Sequence, residues 1–160
     1  MNGTKTADNV EAKHPDLVYI SVGRFVLEFS HLELMIRHAL IVALRLNFDY
    51  LDVIAASYDF RTLCNVTKKV FLCRSPSYSE AEQKDIENLL NECMSVNDER
   101  VRIAHGTWYV DESGSAGVRH VSRATLEPKF FYSHIEDLDR VTVKLQKLKS
   151  RLAKFLIPRS

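Results

Sequence analysis

Cysteine is scarce in this chain. There are three in 160 residues, Cys64, Cys73 and Cys93. No two of them form a CxxC pair and the number is odd, which argues against a disulfide framework and against a zinc knuckle. Cys64 and Cys93 stand among apolar residues and read as buried small hydrophobes. An excess of one charge is also missing. The formal net charge is +1, so the chain carries no strong global field for nucleic acid, and any such contact must come from a local basic patch. No apolar run is long enough for a bilayer. The longest, "LELMIRHALIVALRL", is interrupted by Glu33, Arg37 and His38. The opening "MNGTKTADNVEAKHPD" has no apolar segment of the secretory kind, so the chain reads as cytoplasmic, with no membrane partner. Internal repeats and low-complexity tracts are absent as well.

What is present fits one globular domain: 46% hydrophobic and 27% charged residues. Residues 1–13 are polar and are expected to be a flexible segment, with the domain over 14–160. "HPD" reads as a helix entry. Beyond it, "DLVYISVGRFVLEFSHLELMIRHALIVALRL" has apolar residues at helical spacing and on more than one face, as in a central helix packed by several neighbours or by a second chain. "NFDYLDVIAAS" reads as a short helix. "DFRTLCNVTKKVFLCRS" reads as another, with Phe60, Leu63, Val66, Val70 and Phe71 inward. Ser79 and Glu82 make a capping box that starts a long helix through "ERVRIAH", with Ile86, Leu89, Leu90, Cys93 and Val96 as its core face. Gly106 stops it. "TWYVDE" and "VRHVSRATLE" around "SGSAG" read as a β-hairpin over about residues 107–126. After Pro128, Ser133 with Glu136 reads as the cap of a final helix. The expected fold is mainly α, a helical bundle with a small β-hairpin before the last helix.

The end of the long helix, "NDERVRIAHGTWYV", carries the chemistry. On a helical wheel Arg100 falls within about 20° of Leu89 and Cys93, and about 40° from Val96 and Ala104. A guanidinium on an apolar face needs a carboxylate, carbonyls or a bound anion. A salt bridge to Glu28 or Glu33 of the first helix would satisfy it structurally. His105 lies about 140° further round. The two side chains would converge if the last turn unwinds toward Gly106, or between two chains meeting across a twofold axis. Taken alone, His105 is also a suitable C-terminal helix cation.

"ERVRIAHG" at the end of a long helix, in an all-helical domain of this size, resembles the HEPN superfamily. That superfamily's signature is an arginine and a histidine separated by four to six residues. Ala104, Gly106 and Trp108 look like its "R-N-x-x-A-H-G" version, and "GRFVLEFSHLELMIRHAL" is similar to the opening helix of many such chains. The position after the arginine is usually polar and here is Val101. The resemblance implies a metal-independent endoribonuclease working as a homodimer on RNA, in the style of a toxin or phage-defence effector, with an antitoxin protein as a further partner. A non-catalytic HEPN-type module binding RNA, a nucleotide or a protein is the rival reading, and Val101 favours it slightly.

The residue types suit RNA cleavage. Histidine titrates near neutrality and moves protons. Arginine presents a rigid fork of donors to phosphate oxygens and stabilises developing charge. His105 is therefore assigned as general acid or base, and Arg100 as phosphate clamp. Arg102 is a second phosphate contact, although its wheel position suggests a solvated residue. Asn97, Lys68 and Lys69 are further candidates for substrate binding. No cofactor or metal is expected. Glu28, His31 and His38 share a face of the first helix but lack an HExxH partner motif, and packing or a dimer contact is the alternative. The basic last helix reads as core-packed with a solvated lysine face, or as an electrostatic rail for RNA. The aromatics of "TWYV" and "KFFY" are core, or platforms for bases.

Overall fold

The computed structural model describes residues 14–73, 78–110, 116–121 and 126–157; the N-terminal segment 1–13 lies outside them. Helix α1 spans His14–Leu44. It buries Phe25, Phe29, Leu32, Ile36, Ala39, Leu40 and Ala43, the three- and four-residue spacing of one helical stripe. Arg45 follows in the left-handed region (φ 55°), the usual backbone just past a helix end. A 3-10 turn (Phe48–Tyr50) leads into the short α2 (Leu51–Ala55).

Helix α3 spans Phe60–Cys73. Asp59 opens it, accepting the Thr62 N–H at 2.8 Å and the Thr62 hydroxyl at 3.1 Å. Those bonds hold its carboxyl below the ordinary range. Helix α4 spans Glu80–His105, and the Ser79–Glu82 capping box forms as the sequence predicts. Helices α3 and α4 run antiparallel in a fixed register. Arg61 meets Asp98 at 3.1 Å, and Lys68 donates to Asn91 at 3.0 Å. Because α3 begins level with Asp98, the last two turns of α4 extend beyond it.

After Gly106 the chain forms a three-stranded antiparallel sheet: β1 (Thr107–Val110), β2 (Ala116–Val121) and β3 (Pro128–Phe131). The expected hairpin is there, and a third strand extends it. That strand is the four residues beginning at Pro128, too short for alternation to reveal beside a proline. Val118 pairs with Phe131 and His120 with Lys129. Helix α5 (Ile135–Leu152) starts later than the sequence suggests. Its entry is closed by Asp137, which accepts the His134 N–H at 3.3 Å, in place of the Ser133–Glu136 pair.

Helices α1, α3, α4 and α5 form the bundle, with α1 packed on α3 and α5, and α4 on the same two. Leu63, Phe71, Leu89, Leu90, Leu145 and Leu148 are among the residues closing the core. Each such side chain contributes roughly 1.5–3 kcal/mol on burial. Cys64 and Cys93 lie in this core as free thiols. Burial raises both, and Cys93 is pushed up to about 12. The cations of α5 are largely engaged: Lys149 with Glu28, Arg151 with Asp85 and Glu92, Arg140 with Asp137. A continuous basic rail is therefore not what this helix presents. No helix among the described residues is long and apolar enough to cross a membrane.

Candidate functional site

Helix α4 stays regular to its end. The Gly106 N–H donates to the Arg102 carbonyl at 2.8 Å. Gly106 is needed there for space, since a Cβ would stand 2.2 Å from the Val118 side chain and 2.5 Å from the Arg102 carbonyl oxygen. The last turn does not unwind, so within one chain Arg100 and His105 keep their separation of about 140° around the helix. Both are exposed. Val101, half-buried, forms the crest between two sides of α4. Asn97, Arg100 and Ala104 fall on its α1 side; Asp98, Arg102 and His105 fall on its sheet side.

On the α1 side, Arg100 stands at the mouth of an open cavity of about 490 Å³, lined among others by Phe29, Glu33, Tyr58, Arg61 and Asn97. A smaller one of about 120 Å³ adjoins it, lined by Val26, Phe29, Ser30, Glu33, Arg100 and Ala104. The opening exists because α3 starts too late to cover this stretch of α4. The wheel places Arg100 on the apolar stripe, but the stripe outruns its partner helix. Val96 is fully buried, while Arg100, one turn on, is in solvent. The expected salt bridge to Glu28 or Glu33 does not form. Glu28 pairs with Lys149, and Glu33 pairs with Arg37 at 2.7 Å. Among the described residues Arg100 has no ion pair; its guanidinium lies 6.0 Å from the centre of the Phe29 ring.

Arg102 is held as well as partly solvated. Its guanidinium meets Glu99 at 3.0 Å and lies 4.4 Å from the centre of the Phe131 ring. Glu99 also accepts the Tyr132 hydroxyl. Burial, with the neighbouring carboxylate, raises the Tyr132 phenol well above its ordinary value. Tyr132 has a positive φ (56°), a backbone state that costs a bulky residue about 1 kcal/mol or more. Its hydrogen bond and its stacking on Trp108 (centroids 6.1 Å apart, planes 8° apart) keep it there. The Trp108 indole N–H donates to the Ile103 carbonyl at 3.0 Å, so this aromatic braces the helix end.

The structure thus brings Asn97 into one cavity with Arg100, and sets Arg102 across the crest from them. Lys68 and Lys69 are elsewhere. Lys68 is seven residues beyond Arg61, about 10 Å along α3, and is bonded to Asn91. Lys69 borders an apolar hollow between α1 and α3 with Leu44 and Val70. His38 packs edge-on against Phe48 at 5.2 Å, and His31 is exposed beside the paired Glu28. Among the described residues no group of three or more His, Cys, Asp or Glu is placed to hold a metal. Tyr58, Phe29 and Arg61 are not legible in the sequence as neighbours of Arg100, because their proximity depends on where α3 begins. No family model, curated protein or solved structure matches the chain.

Proposed function

We propose that this chain is a HEPN-type, metal-independent endoribonuclease acting as a homodimer, with Arg100 and His105 supplied to one cleft by two copies. The observation that carries the reading is Arg100. It is a guanidinium at a helix end, exposed beside open cavities and without an ion pair among the described residues. An arginine kept for structure normally ends on a carboxylate, as Arg102 does. One left facing an open cleft is available to a phosphate.

Cleavage then needs only the substrate's own 2′-hydroxyl as nucleophile. His105 takes the hydroxyl proton as the oxygen attacks the adjacent phosphorus. The bond from phosphorus to the 5′ oxygen breaks, and the same proton passes to that oxygen. A 2′,3′-cyclic phosphate and a 5′-hydroxyl result. Arg100 stabilises the charge that grows on the non-bridging oxygens. The need for a 2′-hydroxyl restricts the reaction to RNA.

The exposed side of α1 supports the dimer. Ile20, Leu27 and Leu34 recur every seven residues and are 53%, 57% and 45% exposed. Gly23 between them leaves open space around its α-carbon. A row of exposed apolar residues along one helix suits an interaction face. It adjoins the Arg100 cavity at Val26, and a second copy is proposed to seat its helix end there.

The test is incubation of wild type, Arg100→Ala and His105→Ala with single-stranded RNA in EDTA. Cleavage by wild type alone supports the enzyme. Tight RNA binding without cleavage supports the module reading, which the apolar Val101 favours. An antitoxin partner and a toxin or defence role belong to the same proposal, tested by expression toxicity that His105→Ala relieves.

A further inference from the structure

The inner face of the small sheet changes character along its length. Strand alternation puts Trp108, Val118 and Phe131 on the side facing α4, where Trp108 packs on the core, Val118 is buried and Phe131 lies under Arg102. One step further on the same face stand His120 and Lys129, opposite each other across β2 and β3. His120 is half-buried and Lys129 is exposed, so neither is a buried charge. They do not pack into the core. They line a cavity of about 380 Å³ with Asp98, Val101, Arg102 and Phe131. Among the described residues neither the His120 nor the Lys129 side chain has a hydrogen bond or ion pair, whereas the Asp98 charge is met by Arg61. The cavity therefore offers uncompensated positive charge from Lys129. It also offers a flat cation, Arg102, held against an aromatic ring by Glu99. That pairing suits a phosphate with an attached base, since guanidinium planes stack on bases and lysines meet phosphates as point charges. Its volume lies within the roughly 300–1,000 Å³ of small-ligand pockets. Val101 is a wall both of this cavity and of the one that holds Arg100. A strand lying across the crest would enter both.

Resting on the ribonuclease reading, we propose that the cavity between α4 and the sheet is a second strand-binding subsite. In it Lys129 and His120 hold the RNA nucleotide next to the one cleaved at Arg100. Val101 then has a role of its own. A short apolar side chain at the crest lets the strand pass from one side to the other, where a longer polar one would stand in its path.

The test uses full-length protein and fluorescent 2′-O-methyl oligouridylates, which lack the nucleophile and stay intact. Wild type is expected to bind a dodecamer more tightly than a dinucleotide. Lys129→Ala and His120→Gln should each weaken the dodecamer several-fold, with melting temperatures unaltered. Lys129→Ala should also reduce the slope of log K against log salt by about 0.7, one phosphate contact on a single strand. Dodecamer affinity and salt slope equal to wild type in both variants would overturn the subsite. If unmodified RNA is still cleaved in that case, the ribonuclease reading survives without it. Lys129-dependent binding without cleavage by wild type removes the catalysis and keeps the subsite. No binding of the dodecamer removes both.

Discussion

Arg100 and Arg102 stand two positions apart on one helix and meet opposite surroundings. Arg102 has a carboxylate, an aromatic ring and, behind them, a strained tyrosine braced by a tryptophan. Arg100 has an open cavity and lies over a phenylalanine ring. The difference comes from what covers each side of α4. The chain folds back as a sheet over one side directly after Gly106, while α3 starts too late to cover the other. Identical side chains thus divide into one held at the helix end and one that faces open space.

The largest way to break this contrast is Glu99→Ala. It removes the acceptor of both Arg102 and Tyr132, leaving two half-buried polar groups unpaired. Denaturant unfolding should show a loss of about 2–3 kcal/mol. Next is the direct comparison of the two arginines. Arg102→Ala is expected to cost about 1–2 kcal/mol, the lower part of that range reflecting partial solvation of the pair. Arg100→Ala should stay within about 0.5 kcal/mol of wild type. Equal losses for both would erase the distinction.

How much of this is legible in the sequence follows from the range of each interaction. The Ser79–Glu82 cap, the core stripe of α4 and the stop at Gly106 are local, and spacing alone reveals them. The third strand is hidden, because four residues that begin with a proline carry too little alternation. The inward positions of His120 and Lys129 are hidden with it, since the pairing of β2 with β3 is what sets them face to face. Arg102 looks solvated on a wheel because a wheel knows only its own helix, and Phe131 arrives from the strand that periodicity does not show. Arg100 looks apolar-facing for the same reason. Where that face ends is set by the register of α3, fixed by Arg61–Asp98 and Lys68–Asn91, and no spacing within α4 records it. Arg100 and His105 stand out by their motif, and Asn97 by proximity to it.

Smaller effects sharpen the contrast between paired and open charges elsewhere. The Lys149 hydrogen bond, ahead of the opposing effect of burial, holds the Glu28 carboxyl below its ordinary 4.5. A depressed carboxyl contributes stability that is complete above its unfolded value and is lost as pH falls through its folded one. Glu28→Gln should therefore lower the melting temperature at pH 7, and the gap from wild type should close as the pH is taken below about 4.5. The smallest perturbation is chemical. Native protein should react with a maleimide at Cys73, which is exposed, while Cys64 and Cys93 react only after denaturation. Rapid labelling of either core thiol would contradict the packing of α3 on α4.

On the proposed mechanism, Arg100 of one copy works with His105 of another. It is tested most directly by mixing Arg100→Ala protein with His105→Ala protein, after unfolding and refolding together, and measuring RNA cleavage. Each parent is inactive on this account. Mixed dimers have one intact site of two and form half of the population, so activity should return to about a quarter of wild type. A mixture as inactive as its parents, beside an active wild type refolded in the same way, would contradict the shared site.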